Sequence, residues 1–453
     1  MYSKIAEHFV YPLGDAVLHT NVTKYLASLE KSQWWSLDRL VELQNQKLRS
    51  LIDHAYNKVP YYRRVFDERG LSVRDIQSID DLPKLPLLTK DLIRQDFTDF
   101  MAQDYQKWRP YLDSTSGSTG VPLHYYTTMD AYSMGWACLF RGWSWAGYRL
   151  GDKRVTFGGS SLAPSHISLK NKIRYGLERN LCVSSFGLTA DTLEWHARRV
   201  ARFSPRYLRG YPSTLALLAE YLIERGRSDI RPRAVFTTAE SLLLSQRRVM
   251  EAAFGCEVLD QYGLNDGGAM ALECSRHQGY HVAVERAVVE VCDAGGRSVG
   301  LRGEGQIITT DLHNYAMPFI RYATSDMALM GDSPCTCGRM LPLLKSILGR
   351  RTSYLVLNDG SSVPGLPATD VLEDIEREVP GTIRQYEAVQ EVAGRLRVKI
   401  VKGAKYTDPD TERIKSAIAE HSHGKLVADL EFVDDIPATA AGKRAFVTSK
   451  VIR

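Results

Sequence analysis

Residues Ser114–Gly120 read Ser-Thr-Ser-Gly-Ser-Thr-Gly and are followed by Val121 and Pro122. The stretch combines small hydroxyl side chains with two glycines and carries no large side chain. Glycine lets a ligand approach the backbone closely, and backbone N–H groups and hydroxyls can donate hydrogen bonds to an anion such as a nucleotide triphosphate. The stretch is neither a Walker loop, which needs a following Gly-Lys-Ser/Thr, nor a G-x-G-x-x-G fingerprint. These residues alone leave two interpretations open, a phosphate-binding loop and a flexible Ser/Thr/Gly linker.

The composition is that of an ordinary soluble protein. The chain has 453 residues, of which 44% are hydrophobic and 25% charged, and its net charge is +5. This length predicts two or three domains, and the even spread of charge argues against nucleic acid as the main partner. No segment approaches the ~18–20 apolar residues that span a bilayer, and the N-terminus lacks the apolar core of a signal peptide. We therefore expect a cytoplasmic protein with no membrane partner and no nucleic-acid partner.

The pattern of apolar residues predicts an α/β fold. Helical spacing over residues 34–57 predicts a helix that ends before Pro60. From residue ~110 to residue ~330, short apolar runs alternate with amphipathic helices, as in sheets packed with helices. Val282–Val291 reads as one continuous β-like segment within this region.

The domain organisation is predicted from a change of pattern near Leu348. Beyond this point the chain reads as a short α+β unit. We predict a large, multi-lobed N-terminal domain of sheets packed with helices, residues 1–349. A small α+β C-terminal domain, residues 350–453, is predicted to follow it.

The cysteines predict a metal site rather than disulfides. There are seven of them, an odd number, in a chain expected to be cytoplasmic. Cys335 and Cys337 form a compact turn, and Cys274 lies near two histidines in the sequence. Three thiolates and one imidazole make a closed tetrahedral zinc shell. We favour His281 as the fourth ligand and keep His277 as the alternative; the other interpretation is a set of unpaired surface thiols.

Further motifs follow the opening loop in a fixed order. They are Thr237–Glu240, Asp260–Asp266, Tyr322–Asp326, Gly349-Arg350 and Gly442-Lys443, together with Val59–Arg63, Asp81–Lys90, Gly210–Ser213 and Cys335–Arg339. This ordered set resembles the adenylate-forming superfamily of acyl-CoA ligases, peptide-synthetase adenylation domains and luciferases. It is most similar to the phenylacetate–CoA ligase and CapK-like branch, whose members carry a similar cysteine and histidine pattern. The resemblance covers the chain from residue 35 to residue 450.

The resemblance implies that the large domain binds ATP and the acyl substrate and that the small domain is a mobile lid. The opening loop would hold the β- and γ-phosphates, Glu240 would lie beside the adenine, and Tyr262 would stack on it. Asp326 and Arg350 would bind the ribose. The implied nucleotide-binding residues are Ser114, Thr115, Ser116, Gly117, Ser118, Thr119, Gly120, Glu240, Tyr262, Gly263, Asp326 and Arg350. From the residues alone, Glu240 can instead be an acid in the first turn of a helix, and Tyr262 a core aromatic.

The resemblance also implies two catalytic residues, Lys443 and Asp266. Lys443 would reach the α-phosphate and carboxylate oxygens, where a positive charge stabilises the transition state. Asp266 stands where most of the superfamily has a glutamate that binds Mg²⁺, so its carboxylate reaches less far. At the hinge, Thr352 replaces the first aspartate of the usual G-R-x-D-D, a departure that affects CoA transfer more than adenylation.

The function that the resemblance implies is ATP-dependent activation of a carboxylic acid to an acyl-adenylate, with release of pyrophosphate, followed by transfer to CoA. An amine or carrier-protein thiol can replace CoA, as in an amide or C–N/N–N bond synthetase of a natural-product or polysaccharide pathway. The remaining alternative is a non-catalytic nucleotide-binding protein. The implied cofactors are ATP, Mg²⁺ and a structural Zn²⁺, with CoA as acceptor, and homodimers are common in this branch.

The acyl pocket is expected between residues 136–145, 157–161 and 263–268, which are rich in aromatic residues and glycine. This composition favours an aromatic or compact acid. No cationic residue in these segments stands out as a clamp for a second carboxylate.

Overall fold

The computed structural model describes most of the chain. The described residues are 2–115, 122–159, 162–163, 168–185, 190–332, 334–350, 354–364, 371–372, 374–375, 378–379, 381–437 and 447–451. The α-helices with described bounds are α1 Tyr2–Ile5, α2 Tyr11–Leu18, α3 Val22–Ser32, α4 Leu37–Lys58, α5 Pro60–Glu68, α6 Lys90–Gln95, α7 Met129–Ser144, α8 Leu169–Leu177, α9 Ala190–Phe203, α10 Pro212–Glu224, α11 Leu244–Phe254 and α12 Asp408–His421. Helix α4 confirms the helix predicted over residues 34–57, and it ends before Pro60 as expected. Among the described helices, none has both the length and the apolar character needed to cross a membrane.

The strands form one large sheet and three small ones. They are β1 Pro110–Ser114, β2 His124–Thr128, β3 Arg154–Gly158, β4 Asn180–Ser184, β5 Tyr207–Gly210, β6 Ala234–Thr238, β7 Glu257–Gly263, β8 Met270–Glu273, β9 Tyr280–Val282, β10 Ala287–Cys292, β11 Glu304–Asp311, β12 Tyr322–Met330, β13 Leu343–Arg350, β14 Tyr354–Val356, β15 Ser362–Pro364, β16 Ile383–Val392, β17 Arg395–Lys402, β18 Val427–Phe432 and β19 Val447–Ser449. The large sheet has eleven strands in the order β10-β11-β12-β13-β9-β8-β7-β6-β5-β3-β4.

The large sheet has a parallel half and an antiparallel half. Strands β3 to β7 pair in parallel, because helices cross over between them. From β7 onward every neighbouring pair is antiparallel. The apolar faces of α9, α10 and α11 pack on the parallel half, where Val155, Leu208 and Val235 are fully buried.

The continuous β-segment predicted over Val282–Val291 is wrong. Strand β9 ends at Val282 and β10 begins at Ala287. Between them the chain turns, with the Arg286 N–H donating to the Ala283 carbonyl at 3.0 Å. The turn places the buried, charged side chains of Glu285 and Arg286 against α7 instead of in a strand ladder. The apolar pattern did not reveal this, because alanine and valine surround the two charged residues.

The C-terminal part is a four-stranded sheet in the order β18-β17-β16-β19, packed against α12. Ile414 and Ile418 of α12 are fully buried against Leu396 and Val398 of β17. The predicted fold class is confirmed: a large α/β part with an extended sheet, followed by a small α+β unit. Strand β13, the last of the large sheet in chain order, runs through Arg350, so this residue and its large-sheet partners share one ladder.

A buried ion pair joins three separate segments around α7. Arg141 Nη1 donates to Glu285 Oε1 at 2.6 Å, and the side chains are 0% and 3% exposed. The Ser32 hydroxyl of α3 donates to the same oxygen at 2.6 Å. Lys47 Nζ of α4 donates to the Glu285 carbonyl. Because removal of one partner leaves a buried charge without its counter-charge, such pairs are sensitive to substitution.

We predict that Arg141→Met lowers the free energy of unfolding by about 3–5 kcal/mol, since the Glu285 carboxylate stays buried without the guanidinium that pairs with it. Urea denaturation followed by circular dichroism measures this change. The matched control is Arg206→Met, which removes a pair to Asp152 at 3.5 Å whose arginine side chain is 50% exposed. This control should cost at most about 1 kcal/mol. Equal losses in the two variants would contradict the prediction.

Candidate functional site

The base of the predicted phosphate loop is a β-hairpin. Strands β1 and β2 pair antiparallel up to Ser114 and His124. Beyond this pair, the Thr115 N–H donates to the Leu123 carbonyl at 2.9 Å, and the Leu123 N–H donates to the Thr115 hydroxyl at 3.0 Å. The rest of the predicted loop, Ser116, Gly117, Ser118, Thr119 and Gly120, lies outside the described residues.

Tyr262, Asp326 and Arg350 come together in space. Asp326 and Arg350 are cross-strand neighbours on β12 and β13, and Arg350 Nε lies 3.3 Å from Asp326 Oδ1. The Tyr262 hydroxyl, at the end of β7, donates to Asp326 Oδ2 at 2.9 Å. Each carboxylate oxygen therefore has one protein donor and keeps lone-pair capacity for a ligand hydroxyl.

Asp266 belongs to the same group of residues. The Tyr322 hydroxyl of β12 donates to Asp266 Oδ2 at 2.7 Å. Burial is the largest cause that raises the pKa of Asp266, and the charge of Asp326 adds to it. The hydrogen bond from Tyr322 and the charge of Lys90 act in the opposite direction. A partly buried carboxylate with a second carboxylate nearby is a suitable ligand for a hard cation.

Tight packing fixes the loop that carries Asp266. A Cβ atom added at Gly267 would lie 2.3 Å from the Thr309 methyl group, so only glycine fits there. Gly268 has a φ of +73° and lies against the Asp311 carboxylate. The predicted binding residue Gly263 ends β7 and is exposed beside Tyr262. The sequence analysis placed Gly267 and Gly268 in a segment expected to line the acyl pocket; the structure shows that both contact β11.

Glu240 lies at a helix N-terminus. Its Oε2 atom accepts a hydrogen bond from the Ser213 N–H, in the first turn of α10, at 3.1 Å. A carboxylate in this position is stabilised by the helix dipole. The preceding residue, Ala239, has a φ of +69°, which turns the chain sharply after β6. The predicted place beside the adenine stays a prediction, as does stacking by Tyr262. Lys443 and Thr352 lie outside the described residues.

The cysteines and His281 form a compact cluster. The ligand atoms of Cys274, His281, Cys335 and Cys337 all lie within 4.8 Å of one another. The sulfur atoms of Cys274 and Cys335 are 3.7 Å apart, and Cys337 Sγ is 3.4 Å from His281 Nε2. Zn–S bonds of ~2.3 Å in a tetrahedron place sulfur atoms ~3.8 Å apart, so the donor set fits such an ion.

Between the two candidate histidines, the structure brings His281 into the cluster. His281 lies on β9 and pairs in register with Leu343, which packs against Cys274 and Cys335. His277 instead has a φ of +48°, and its Nδ1 atom lies 3.5 Å from a Glu273 oxygen. The cluster is mostly buried, unlike the surface thiols of the other interpretation.

A cavity of about 810 Å³ opens beside α7 and reaches Asn265, the residue before Asp266. Trp136 lines it, as expected from the predicted acyl segments. The floor is formed by parallel strands, with Thr156 and Arg209 in register on β3 and β5. Helix α2 forms part of the wall, although no sequence motif predicted it there.

Cationic residues line this cavity, and the sequence analysis missed them. Arg209 and Arg286 both lie in the lining and are only 8% and 4% exposed. Neither lies in the segments from which the pocket was predicted. Arg209 does precede the Gly210–Ser213 motif directly, and this position was the available signal.

Structural comparison identifies the fold. The chain is similar to the crystal structure of 2-hydroxyisobutyryl-CoA ligase in the postadenylation state, with a TM-score of 0.74, 16% identity, and coverage of 93% of this chain and 91% of that one. It is also similar to the anthranilate CoA ligase AuaEII in complex with anthranoyl-AMP, with a TM-score of 0.54, 15% identity, and coverage of 73% and 64%. The fold is therefore that of the adenylate-forming CoA ligases.

Sequence comparison points to particular relatives. Residues 364–450 match the family model of the CapK C-terminal domain. The chain is 24% identical over 419 residues to protein CapK of Staphylococcus aureus, covering 91% of this chain and 90% of that protein. It is 29% identical over 346 residues to the phenylacetate-coenzyme A ligase of Pseudomonas putida, covering 75% and 76%. The predicted resemblance to the phenylacetate–CoA ligase and CapK-like branch is confirmed.

The buried carboxylate below Tyr262 predicts a pH dependence. Asp260 accepts hydrogen bonds from the Thr237 and Tyr280 hydroxyls at 2.6 and 2.8 Å, yet burial raises its pKa to about 6. The folded protein therefore binds this proton more tightly than the unfolded chain, whose aspartate pKa is ~3.9. The stability that the proton contributes is complete below pH ~4 and is lost as the pH rises to ~6.

Asparagine at position 260 cannot ionise. We therefore predict that the free energy of unfolding of Asp260→Asn, relative to that of the natural chain, increases by about 2–3 kcal/mol as the pH rises from 4 to 7. Urea denaturation at several pH values measures the difference between the two proteins. A difference that does not change with pH would contradict this prediction.

Proposed function

We propose that the protein activates a carboxylic acid with ATP, forming an acyl-adenylate and pyrophosphate, and then transfers the acyl group to CoA. The observation that carries the proposal is the convergence of Tyr262, Asp326 and Arg350 in one cluster of side chains. A carboxylate held between a phenol and a guanidinium offers acceptor and donor groups to a ribose diol. Two of the similar proteins, the phenylacetate-coenzyme A ligase of Pseudomonas putida and 2-hydroxyisobutyryl-CoA ligase, are CoA ligases, which supports the same reaction class.

The reaction requires negative charge to be offset at the phosphates. Asp266 is the residue that would hold Mg²⁺, since its carboxylate lies beside the proposed ribose site. Mg²⁺, when bound, neutralises phosphate charge and orients the leaving pyrophosphate. Lys443 is proposed to supply the second positive charge, at the α-phosphate and carboxylate oxygens. The hairpin itself adds none at Leu123, which is 1% exposed.

The residues of the nucleotide site have different proposed tasks. The loop that begins at Ser114 and Thr115 is proposed to hold the phosphates through N–H and hydroxyl donors. The ring of Tyr262 is proposed to stack on the adenine while its hydroxyl stays on Asp326. Much of the catalysis then comes from positioning the acid carboxylate in line with the α-phosphorus.

The cluster of Cys274, His281, Cys335 and Cys337 is proposed to hold a structural Zn²⁺. Four protein ligands close the coordination shell, so no position is left for substrate chemistry. The cluster joins the segments around β8, β9 and the turn before β13. A bound ion there would fix the antiparallel half of the sheet from one side.

The adenylation proposal is tested by exchange of labelled pyrophosphate into ATP over a panel of carboxylic acids. We expect acid-dependent exchange, and a loss of about 10²–10³-fold in Lys443→Ala, since a transition-state charge contact is removed. Lys450→Ala is the matched control, because this neighbouring lysine pairs with Glu391 and is 62% exposed. It should retain full exchange. Absence of exchange with every acid, in the natural chain and in Lys443→Ala alike, would overturn the proposal.

The ribose assignment has its own prediction. Asp326→Asn should raise the KM for ATP about tenfold to a hundredfold, because charge-assisted hydrogen bonds to the ribose are weakened. The KM for the acid should change little. Steady-state exchange kinetics with each substrate varied in turn measures the two constants. An equal rise in both would point to a general disruption of the site and contradict the assignment.

The metal proposal is tested by elemental analysis of protein never exposed to a chelator. We expect about one zinc ion per chain, and its loss in Cys335→Ser, because a closed shell needs all four ligands. Cys256→Ser is the control, since Cys256 lies outside the cluster. Zinc content near zero in the natural chain would remove the site.

A further inference from the structure

Two buried guanidinium groups in the cavity beside α7 have no acidic partner. Arg209 and Arg286 are 8% and 4% exposed, and the Nε atom of each lacks a hydrogen-bond partner. Among the described residues, no carboxylate lies within ion-pair distance of either side chain. An unpaired buried charge is costly, so its presence in a cavity next to a catalytic site requires an explanation.

Arg209 is held by aromatic faces on the cavity floor. Its guanidinium carbon lies 5.7 Å from the centre of the Trp136 ring and 5.4 Å from that of Trp143. These contacts orient the group but do not satisfy its N–H donors. Burial, and then the neighbouring Arg154, lower the pKa of Arg209 to about 10, a value that still leaves it charged at neutral pH.

Arg286 reaches the cavity through a gap left by a glycine. A Cβ atom at Gly135 would lie 2.4 Å from Arg286 Nη1, so a larger residue there would displace the guanidinium. Arg286 Nη1 donates a weak hydrogen bond to Met270 Sδ at 2.9 Å. Gly135 and Trp136 are consecutive on α7, so the two guanidinium groups approach the same turn of this helix.

The acidic groups of the cavity are engaged elsewhere. Five of the lining side chains are cationic and two are acidic. Glu178 pairs with Arg154 at 2.5 Å, and Asp15 accepts hydrogen bonds from the Thr20 and Thr23 hydroxyls. Among the residues that the structure describes, the lining of the cavity therefore has an excess of positive charge.

We propose that the acid activated by this protein carries a second anionic group, such as another carboxylate or a phosphate, and that Arg209 binds it on the cavity floor. This inference rests on the proposed function, since it names the substrate class of the same site. The reacting carboxylate cannot fill this role, because adenylation converts it to a neutral acyl group while the guanidinium stays charged. Arg286 adds positive charge nearer to Met270. The aromatic walls at Tyr132 and Trp136 accommodate a compact or aromatic scaffold between the two anionic groups.

The test compares matched acids that differ by one anionic group. The pairs are hexanoate with adipate and phenylacetate with para-carboxyphenylacetate. Pyrophosphate exchange gives kcat/KM for each acid, and isothermal titration calorimetry gives Kd for the acid alone. The variants are Arg209→Gln, the conservative Arg209→Lys, and Arg206→Gln as a control on an exposed arginine outside the cavity.

We expect the diacid of at least one pair to exceed its monoacid about tenfold to a hundredfold in kcat/KM, since a charge-assisted bond to a buried guanidinium is gained. Arg209→Gln should abolish this preference by lowering kcat/KM for the diacid toward the value for the monoacid, Arg209→Lys should restore part of it, and Arg206→Gln should have no effect. The melting temperature of ligand-free Arg209→Gln should not fall, because an unpaired buried charge is removed.

Several outcomes would overturn the inference. They are monoacids that react as well as diacids in both pairs, an equal loss for both acids in Arg209→Gln, or a lower melting temperature in that variant, which would show a structural role. The proposed function fails separately: if no acid supports exchange but the diacid still binds in calorimetry and Arg209→Gln removes that binding, the anion site stands without adenylation.

Discussion

Two reciprocal tyrosine–aspartate hydrogen bonds hold the large sheet in the shape that creates the site. Tyr262 at the end of β7 donates to Asp326 on β12, and Tyr322 on β12 donates to Asp266 just after β7. Strands β8, β9 and β13 separate β7 from β12 in the ladder, so the antiparallel half must curl back for these contacts to form. The carboxyl ends of the parallel strands, where α/β sheets bind ligands, thereby face a second wall made by β12 and β13.

The same contacts set the electrostatics of the site. Asp266 and Asp326 lie close enough for the charge of Asp326 to raise the pKa of Asp266, in addition to the effect of burial. Tyrosine hydroxyls offset part of this repulsion, and Arg350 offsets another part at Asp326. Besides the tyrosine hydroxyls and Arg350, the charge of Lys90 also favours the ionised form of Asp266. A ligand that brings a cation and a diol together would add to this balance, which is the physical reason for the proposal of a nucleotide with its metal.

Local sequence patterns predicted most helices and strands. The features that were not predicted depend on contacts between residues that are far apart in the sequence. The spacing of apolar residues was enough for α4, because one face of this helix is buried along its whole length. The spacing of the cysteines in the sequence also identified three candidate metal ligands. The fourth ligand could not be chosen from the sequence, because it is the pairing of β9 with β13 that brings His281, and not His277, to the cluster. Arg209 and Arg286 were invisible as a pair, since they are far apart in sequence and meet at one turn of α7. The break after Val282 was missed because a buried ion pair, and not strand periodicity, determines it.

The surroundings of Arg209 indicate a role in binding the substrate and not in stabilising the fold. A methionine at this position would also pack on the rings of Trp136 and Trp143. It would carry no charge and would therefore avoid the desolvation cost of a buried guanidinium, so packing alone favours the apolar side chain. Arg141, by contrast, belongs to α7 and is 0% exposed, but it has Glu285 as its counter-charge, and its role in holding α7 is complete without a ligand. Both arginines are buried, and among the described residues only Arg141 has an acid of the chain as its partner. The one without an acid is the one that lines the cavity, and for this reason its counter-charge is expected to come from the substrate.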